Sequence, residues 1–354
     1  MVRNQALIFK SPPLETPVEG EHFAVETGEF DLETAPPQGC ITVKTYYASF
    51  DPYQRGLMRD PDSQTWAIPF VRGKPFINGA VAKVLKSNNP GFKPGDVVWG
   101  MLATSEYSVV PESHMPTVRP LFNPAGLDWK YFTGILGTAG MSAWVSLYEY
   151  GKPKKGETLW VSAASGAVGT LVGQLALLEG LKVVGSVGSQ EKLEYIQKLG
   201  FVGFNYKETS PAVALKELAP EGIDIYIDNV GGEHLEIAID NMKDFGRIVS
   251  CGAISQYNLE PQNRYGVRNL MEFMLKRLTM SGFIVSDPHL LQKHAEQFGQ
   301  TMYGYLLQKT VAPPKHDVTI GIENAPKGFL AMFSGANSGK SLLQFDELST
   351  GGAQ

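Results

Sequence analysis

The sequence predicts an α/β protein: a doubly wound parallel-sheet domain joined to a β-rich domain. Three observations carry this. Strands alternate with helices from about 131 to 309. A short apolar run, Leu159 to Val161, breaks into small residues at Ser162–Gly166 and passes at once into a helical pattern. Residues 1 to about 130 instead hold short apolar runs set off by prolines and turn residues.

The elements follow in order. A length of 354 residues corresponds to about two domains. The first part holds the runs Gln5–Phe9, Phe23–Glu26, Ile41–Ala48, Ala80–Leu85 and Asp96–Met101. Asn88-Asn89-Pro90-Gly91 and Lys93-Pro94-Gly95-Asp96 punctuate them, as expected of a mostly antiparallel β domain. A helix is expected over Gly137–Tyr150. After the strand at 159–161, Val168, Leu171, Val172, Leu175 and Ala176 recur at helical spacing, and Gly180 closes the helix. The second strand is Lys182–Val187, and its helix runs from Ser189 as N-cap to Gly200. A third strand near Val202–Asn205 leads to a helix opened by Ser210-Pro211. The fourth, fifth and sixth strands are Ile223–Ile227, Arg247–Cys251 and Met280–Val285, followed by a helical segment over 288–308. The remainder, 310–354, reads as short strands and turns that rejoin the first domain. The expected domains are thus 1–130, 131–309 and 310–354.

Composition narrows the function. A hydrophobic content of 43% with 19% charged residues is ordinary for a globular protein with a sizeable core. The net charge of -5 argues against nucleic acid or an anionic membrane as the main partner. Two distant cysteines, Cys40 and Cys251, form neither a disulfide framework nor a metal-type spacing, which suits a reducing compartment. The N-terminus shows no signal pattern, no apolar run nears the ~20 residues of a membrane span, and the last residues match no address. A cytoplasmic protein is expected.

The strand, tight turn and helix at 158–180 resemble the opening of a dinucleotide-binding unit, with Ala164-x-Gly166-x-x-Gly169 in place of three glycines. Small residues let the backbone approach a pyrophosphate, and a helix N-terminus offers free N–H groups. The second strand ends Gly185-Ser-Val-Gly-Ser189 without the acid that would hold a ribose 2′-hydroxyl. Lys192 sits in the first turn of the next helix, where a cation works against the helix dipole. It either meets the 2′-phosphate of NADP(H), with Gly188 and Ser189 near it, or is a solvated lysine.

Three further loops fall at strand ends: Asp228-Asn-Val-Gly-Gly232, Cys251-Gly-Ala-Ile-Ser-Gln-Tyr-Asn258 and Gly282-Phe-Ile-Val-Ser286. They read as a cofactor trough or as ordinary turns. Catalytic zinc would need three protein ligands, and Cys40, His22 and His114 have no ligand spacing. Ser165 lacks a nucleophile-elbow setting. Asp51-Pro-Tyr-Gln-Arg55 ends a strand with an acid, a phenol and a guanidinium, and is either a site or a turn with a stacked tyrosine. A nucleotide domain inserted into a β domain would leave a ligand cleft.

Taken together, these motifs resemble the medium-chain dehydrogenase/reductase superfamily, and within it the zinc-independent alkenal/enone double-bond reductases that include the prostaglandin reductases. The resemblance spans the chain in order: Asp51-Pro-Tyr53 with Arg55, Gly137-Thr-Ala-Gly-Met-Ser-Ala143, Ala163-Ala-Ser-Gly-Ala-Val-Gly169, Gly188-Ser-x-Glu-Lys192, Phe204-Asn-Tyr-Lys207, Asp228-Asn-Val-Gly-Gly232, Cys251-Gly-Ala-Ile-Ser255 with Tyr257-Asn258, and Gly335-x-Asn-x-Gly-Lys340. Two departures are Trp144, where tyrosine is frequent, and the divergent stretch Arg72–Asn78, which resembles a cleft wall.

The resemblance implies a GroES-like β domain, a Rossmann domain binding NADP(H), and a C-terminal return. It implies that Lys192 and Tyr206 bind the 2′-phosphate. Ser165, Gly166, Ala167 and Val168 would line the pyrophosphate turn. Asn229, Cys251, Ser255 and Tyr257 would follow the cofactor, with Phe283 and Val285 near the nicotinamide. Met141 and Asn337 would also touch it, and Tyr53 would face the substrate. The implied reaction is metal-free reduction of the C=C bond of an α,β-unsaturated carbonyl. Hydride goes to the β-carbon, and a proton from Tyr257, Tyr53 or water goes to the α-carbon. The rivals are an NADPH quinone reductase and a non-catalytic NADPH-binding regulatory member of the superfamily. A homodimer is also expected.

Overall fold

The structure, a computed structural model, describes residues 1–60 and 67–350. The chain forms two compact units, Met1–Gly137 with His316–Gln354, and Thr138–Lys315. In the first unit, β1 (Val2–Phe9) and β2 (Phe23–Phe30) pair antiparallel as a two-stranded ribbon. Next come β3 (Ile41–Ser49), β4 (Ile77–Ser87), β5 (Val97–Ala103), β6 (Tyr107–Val110) and β7 (Arg119–Pro120). Between β3 and β4 a 3-10 turn, Pro52–Leu57, starts where Pro52 presets φ for its first residue.

The second unit opens with α1 (Thr138–Val145), which runs into a π-helical turn at Ser146–Gly151. The helix expected to Tyr150 therefore loses its α-geometry after Val145. β8 (Thr158–Val161), α2 (Ala167–Leu178), β9 (Lys182–Val187), α3 (Gln190–Lys198), β10 (Val202–Asn205) and α4 (Pro211–Leu218) follow. Then come β11 (Ile223–Asp228), α5 (Glu233–Asn241), β12 (Met242–Ser250), α6 (Met271–Leu275), β13 (Thr279–Gly282) and α7 (Pro288–Gln308). The fifth strand begins earlier than expected, because Phe245 takes a positive φ of 62° and carries the chain through an irregularity rather than ending the strand. The sixth strand ends at Gly282, so Phe283 and Val285 lie in the loop beyond it.

The second unit's sheet has the order β10-β9-β8-β11-β12-β13 and its strands pair parallel. Central strands β8 and β11 are buried almost throughout, as a sheet covered on both faces requires. Successive strands run outward from β8 to one side and from β11 to the other. This is the topological switch, outside whose carboxyl ends such folds bind ligands. Trp160 and Tyr226 pack at 4.4 Å, tilted by 31°, in the core beneath it.

The chain returns to the first unit through β14 (His316–Ile320), α8 (Ala325–Ser334) and β15 (Lys340–Gln344). The first unit's larger sheet runs β14-β15-β3-β4-β5-β7, with β6 also on β3. Its β14–β15 pair is parallel and the rest antiparallel. Short strands and turns were expected here, but α8 is ten residues long. Its Phe329 is fully buried and meets Phe23 at 5.4 Å and Phe76 at 5.6 Å. Asn324 and Gly335, the latter at a φ of 67°, bound this helix as its caps, and the aromatic packing holds it on the sheet.

Candidate active site

The pyrophosphate turn is built by close packing. Ala163 adopts a positive φ of 50°, rare outside glycine, to bend the chain from β8 toward α2. A Cβ at Gly169 would lie 2.5 Å from Ala163 O and 2.8 Å from Ala164 Cα, so only glycine lets the helix sit this tightly on the turn. Gly166 is the N-cap of α2, and no side chain caps that helix. Its first-turn N–H groups, on Ala167, Val168 and Gly169, are therefore suited to an anion. Ser165 lies in the same turn and is 6% exposed.

Gly188 and Ser189 follow β9, Tyr206 packs over Gly188, and Lys192 lies in the first turn of α3. The Tyr206 phenol crosses Gly188, where a Cβ would meet its oxygen at 2.9 Å. Tyr206 N bonds Val187 O at 3.0 Å, which fixes that crossing. The Ser189 hydroxyl accepts from Lys192 N at 3.4 Å and so caps α3. No acid stands at this strand tip. The uncapped N-terminus of α2 suits the phosphates of a bound dinucleotide, and the acid-free tip of β9 does not oppose a carrier that bears a 2′-phosphate.

At the switch point, Asp228 ties three strand ends together. It is 1% exposed, and its Oδ1 accepts from Tyr226 Oη at 2.8 Å, Val230 N at 2.9 Å and Gly231 N at 2.8 Å. Its carbonyl accepts from Cys251 N and Gly252 N, both at 2.9 Å. Burial raises its carboxyl pKa, and the N–H donors oppose that shift. Asn229 donates from its backbone to Ser162 Oγ at 2.9 Å and from Nδ2 to Ser162 O at 2.8 Å. Sequence reasoning missed the role of Asp228, Tyr226 and Ser162. A buried acid at the end of an apolar strand was the available signal.

Beyond β12 and β13 lies a pocket of about 490 Å³ lined by residues that include Cys251, Gly252, Tyr257, Phe283, Ile284 and Asp287. Tyr257 Oη accepts from Ala253 N at 3.0 Å. Burial, the largest cause, raises the phenol pKa, so the hydroxyl keeps its proton across the neutral range. Burial also pushes the Cys251 thiol up to about 12, which keeps it neutral. Tyr150, on the π-helical turn, stacks on Phe283 at 5.4 Å and 21° and steadies that wall. Ile284 and Asp287 line the pocket, whereas Val285 is absent from its lining. The Asp287-Pro288 helix start could have pointed to Asp287. Ser255 is exposed, its Oγ donating to Val230 O at 2.6 Å.

Met141, on α1, is 5% exposed. The divergent Trp144 is a core residue whose ring meets Tyr148 at 4.3 Å, tilted by 51°. In the first unit, Tyr53 lies on the 3-10 turn, and burial together with Asp51 raises its phenol pKa. Asn337 stands in the loop between α8 and β15. Within the Arg72–Asn78 stretch, Phe76 belongs to the core and Asn78 Oδ1 accepts from Gln54 Nε2 at 2.6 Å. Arg72 pairs with Asp60 at the surface. Among the described residues, no three His, Cys, Asp or Glu side chains group as metal ligands, and no helix is long and apolar enough to cross a membrane.

Known proteins share this architecture. The family model described as "Zinc-binding dehydrogenase" matches residues 167–300, and "N-terminal domain of oxidoreductase" matches 6–118. The chain is 44% identical over 350 residues to "NADP-dependent oxidoreductase RED1" of Cochliobolus heterostrophus, covering 98% of this chain and 99% of that one. It is 42% identical over 351 residues to "2-alkenal reductase (NADP(+)-dependent)" of Nicotiana tabacum, covering 97% of each. Among solved structures, CurA of Vibrio vulnificus in complex with NADPH superposes with a TM-score of 0.88 at 30% identity, covering 97% of this chain and 100% of that one. The chain belongs to the medium-chain dehydrogenase/reductase superfamily, in its zinc-independent branch of NADP-dependent alkenal and enone double-bond reductases.

Proposed function

We propose that this protein reduces the C=C bond of α,β-unsaturated aldehydes and ketones with NADPH. Bound NADPH would supply the hydride that reaches the β-carbon. The α2 N-terminus would hold the pyrophosphate, while Lys192, Ser189 and Tyr206 hold the 2′-phosphate. The observation that carries the reading is Tyr257. Its oxygen is anchored by Ala253 N, its pKa is raised, and it lines the pocket beyond the carboxyl ends of β12 and β13. Such a phenol holds a proton at Oη ready for an enolate α-carbon, or hydrogen-bonds the oxygen where charge develops. Tyr53, on the first unit, is the second candidate donor. The neutral Cys251 thiol offers no competing nucleophile.

The test is NADPH oxidation with a short alkenal, an aromatic enone, a quinone and a simple ketone, with product analysis. Tyr257→Phe is expected to lower enone turnover about 100-fold or more while NADPH affinity holds. Equal turnover moves the proton to another donor. Oxidation with the quinone alone, or with none of the four, overturns the reading.

The protein is also proposed to be a homodimer. β13 ends the second unit's sheet as an exposed strand, with Met280 42% exposed and Phe245, Met271 and Met274 exposed in the same unit. An unprotected edge of this kind favours pairing with a second copy. Sedimentation equilibrium reads the state, and a monomer at all concentrations refutes it.

A further inference from the structure

We infer that Lys340 is a positioning residue for Tyr53, acting through Asp51. This rests on the reading in which Tyr53 faces the substrate. Two motifs far apart in sequence meet here. Lys340 is 1% exposed, and its Nζ donates to Phe50 O at 2.7 Å, Ser341 O at 2.7 Å and Asp51 Oδ1 at 3.1 Å. Three acceptors use all three ammonium hydrogens, which a neutral amine could not supply. Its stem passes Gly134, where a Cβ would lie 3.3 Å from Lys340 Cγ.

Asp51 begins the turn that carries Tyr53. Its other carboxylate oxygen takes the Ser49 hydroxyl. Its backbone N–H donates to Gln54 Oε1 at 3.1 Å, and Gln54 Nε2 donates to Ser49 O at 3.0 Å and Asn78 Oδ1 at 2.6 Å. Two residues after Tyr53, within the turn, Arg55 Nη2 donates to Pro13 O at 3.0 Å and Glu15 O at 2.9 Å. Tyr53 sits between two anchored residues, Asp51 and Arg55. An apolar pair could supply comparable stability at Lys340 and Asp51, so the buried ion pair is better explained by the geometry it fixes. The turn's position, rather than its existence, is what the ammonium determines.

The experiment is a double-mutant cycle on the full-length protein, using K340M, Y53F and the pair, with D51N as a second route. The readouts are kcat and KM for an enone, NADPH affinity, and circular dichroism to verify folding. K340M is expected to lower kcat about 10- to 100-fold, as a misplaced catalytic group does. NADPH affinity should hold within about threefold, and K340M should cost nothing further once Tyr53 is phenylalanine. An equal K340M penalty in an already impaired Y53F background overturns the inference alone, as does wild-type kcat in folded K340M. Wild-type kcat and KM in Y53F overturns the substrate-facing reading, and the inference falls with it. If K340M does not fold, the same cycle with D51N decides.

Discussion

Gly169→Ala tests whether the pyrophosphate turn depends on contact distance. The added Cβ would stand 2.5 Å from Ala163 O, 2.8 Å from Ala164 Cα and 3.1 Å from Ala163 C. All three neighbours are backbone atoms, so no side chain can swing away. Relief requires α2 to lift from the turn, and overpacking against backbone that cannot swing away falls in the upper part of the usual range, about 2–3 kcal/mol. Better helix propensity returns at most about 1 kcal/mol, leaving a net loss of roughly 1–2 kcal/mol. For a unit of this size that is a fall in Tm of about 2–8 °C. The shifted helix also misaims its N–H groups, so NADPH binding should weaken. Gly299 provides the opposite control: it lies inside α7 with nothing within 4 Å of its Cβ position. Gly299→Ala should raise stability by about 0.5–1 kcal/mol and leave NADPH affinity alone. Differential scanning calorimetry and a fluorescence titration measure both variants. Wild-type Tm and NADPH affinity in Gly169→Ala would refute the close-contact reasoning.

Two further outcomes are expected. Lys192→Ala should weaken NADPH roughly 10- to 100-fold, the worth of a charge-assisted hydrogen bond, while NADH affinity stays level; an equal loss for both cofactors removes Lys192 from the 2′-phosphate. Glu149 accepts from Lys293 at 2.6 Å and lies 2.8 Å from His294 Nε2, and the Lys293 hydrogen bond is the main cause that holds its carboxyl pKa below the ordinary 4.5. A depressed carboxyl contributes its full stability above that ordinary value and loses it as pH falls through the lowered one. Glu149→Gln should therefore cost about 1 kcal/mol at neutral pH and nearly nothing in strong acid, and parallel acid-denaturation curves would contradict this.

The opening turn, α2, the bare tip of β9 and the alternating strands were readable because each has a local cause: small residues, caps and apolar runs. Most of the remainder depended on partners distant in sequence. Ala325–Ser334 carries local signals that sequence reasoning passed over, Pro326 in its first turn and Gly335 in the left-handed conformation at its end, while its docking depends on Phe329 finding Phe23 and Phe76. The π-helical turn at Ser146–Gly151 carries helical periodicity and reads as α-helix from sequence. The Asp228 knot needs Tyr226 beneath and Ser162 beside it, neither of which marks itself as polar support. Likewise, Asp51 and Lys340 each stood out within a motif, but nothing in either motif says that they meet.

The first unit is written in two pieces, and this has a consequence for synthesis. Lys44 on β3 ion-pairs with Asp346 beyond β15, 302 positions later, and Leu343 of β15 lies opposite Ala48 of β3. A ribosome must make the whole intervening nucleotide unit before that edge of β3 receives its neighbour. At about 5–20 residues per second, the wait lasts tens of seconds, during which the Tyr47–Ser49 end of β3 stays open on the flank whose other end, Ile41–Lys44, β6 already covers. The nascent chain is thus most exposed to misassembly while the inserted unit is emerging, and a separately expressed 310–354 peptide would be the natural means of closing that flank in trans.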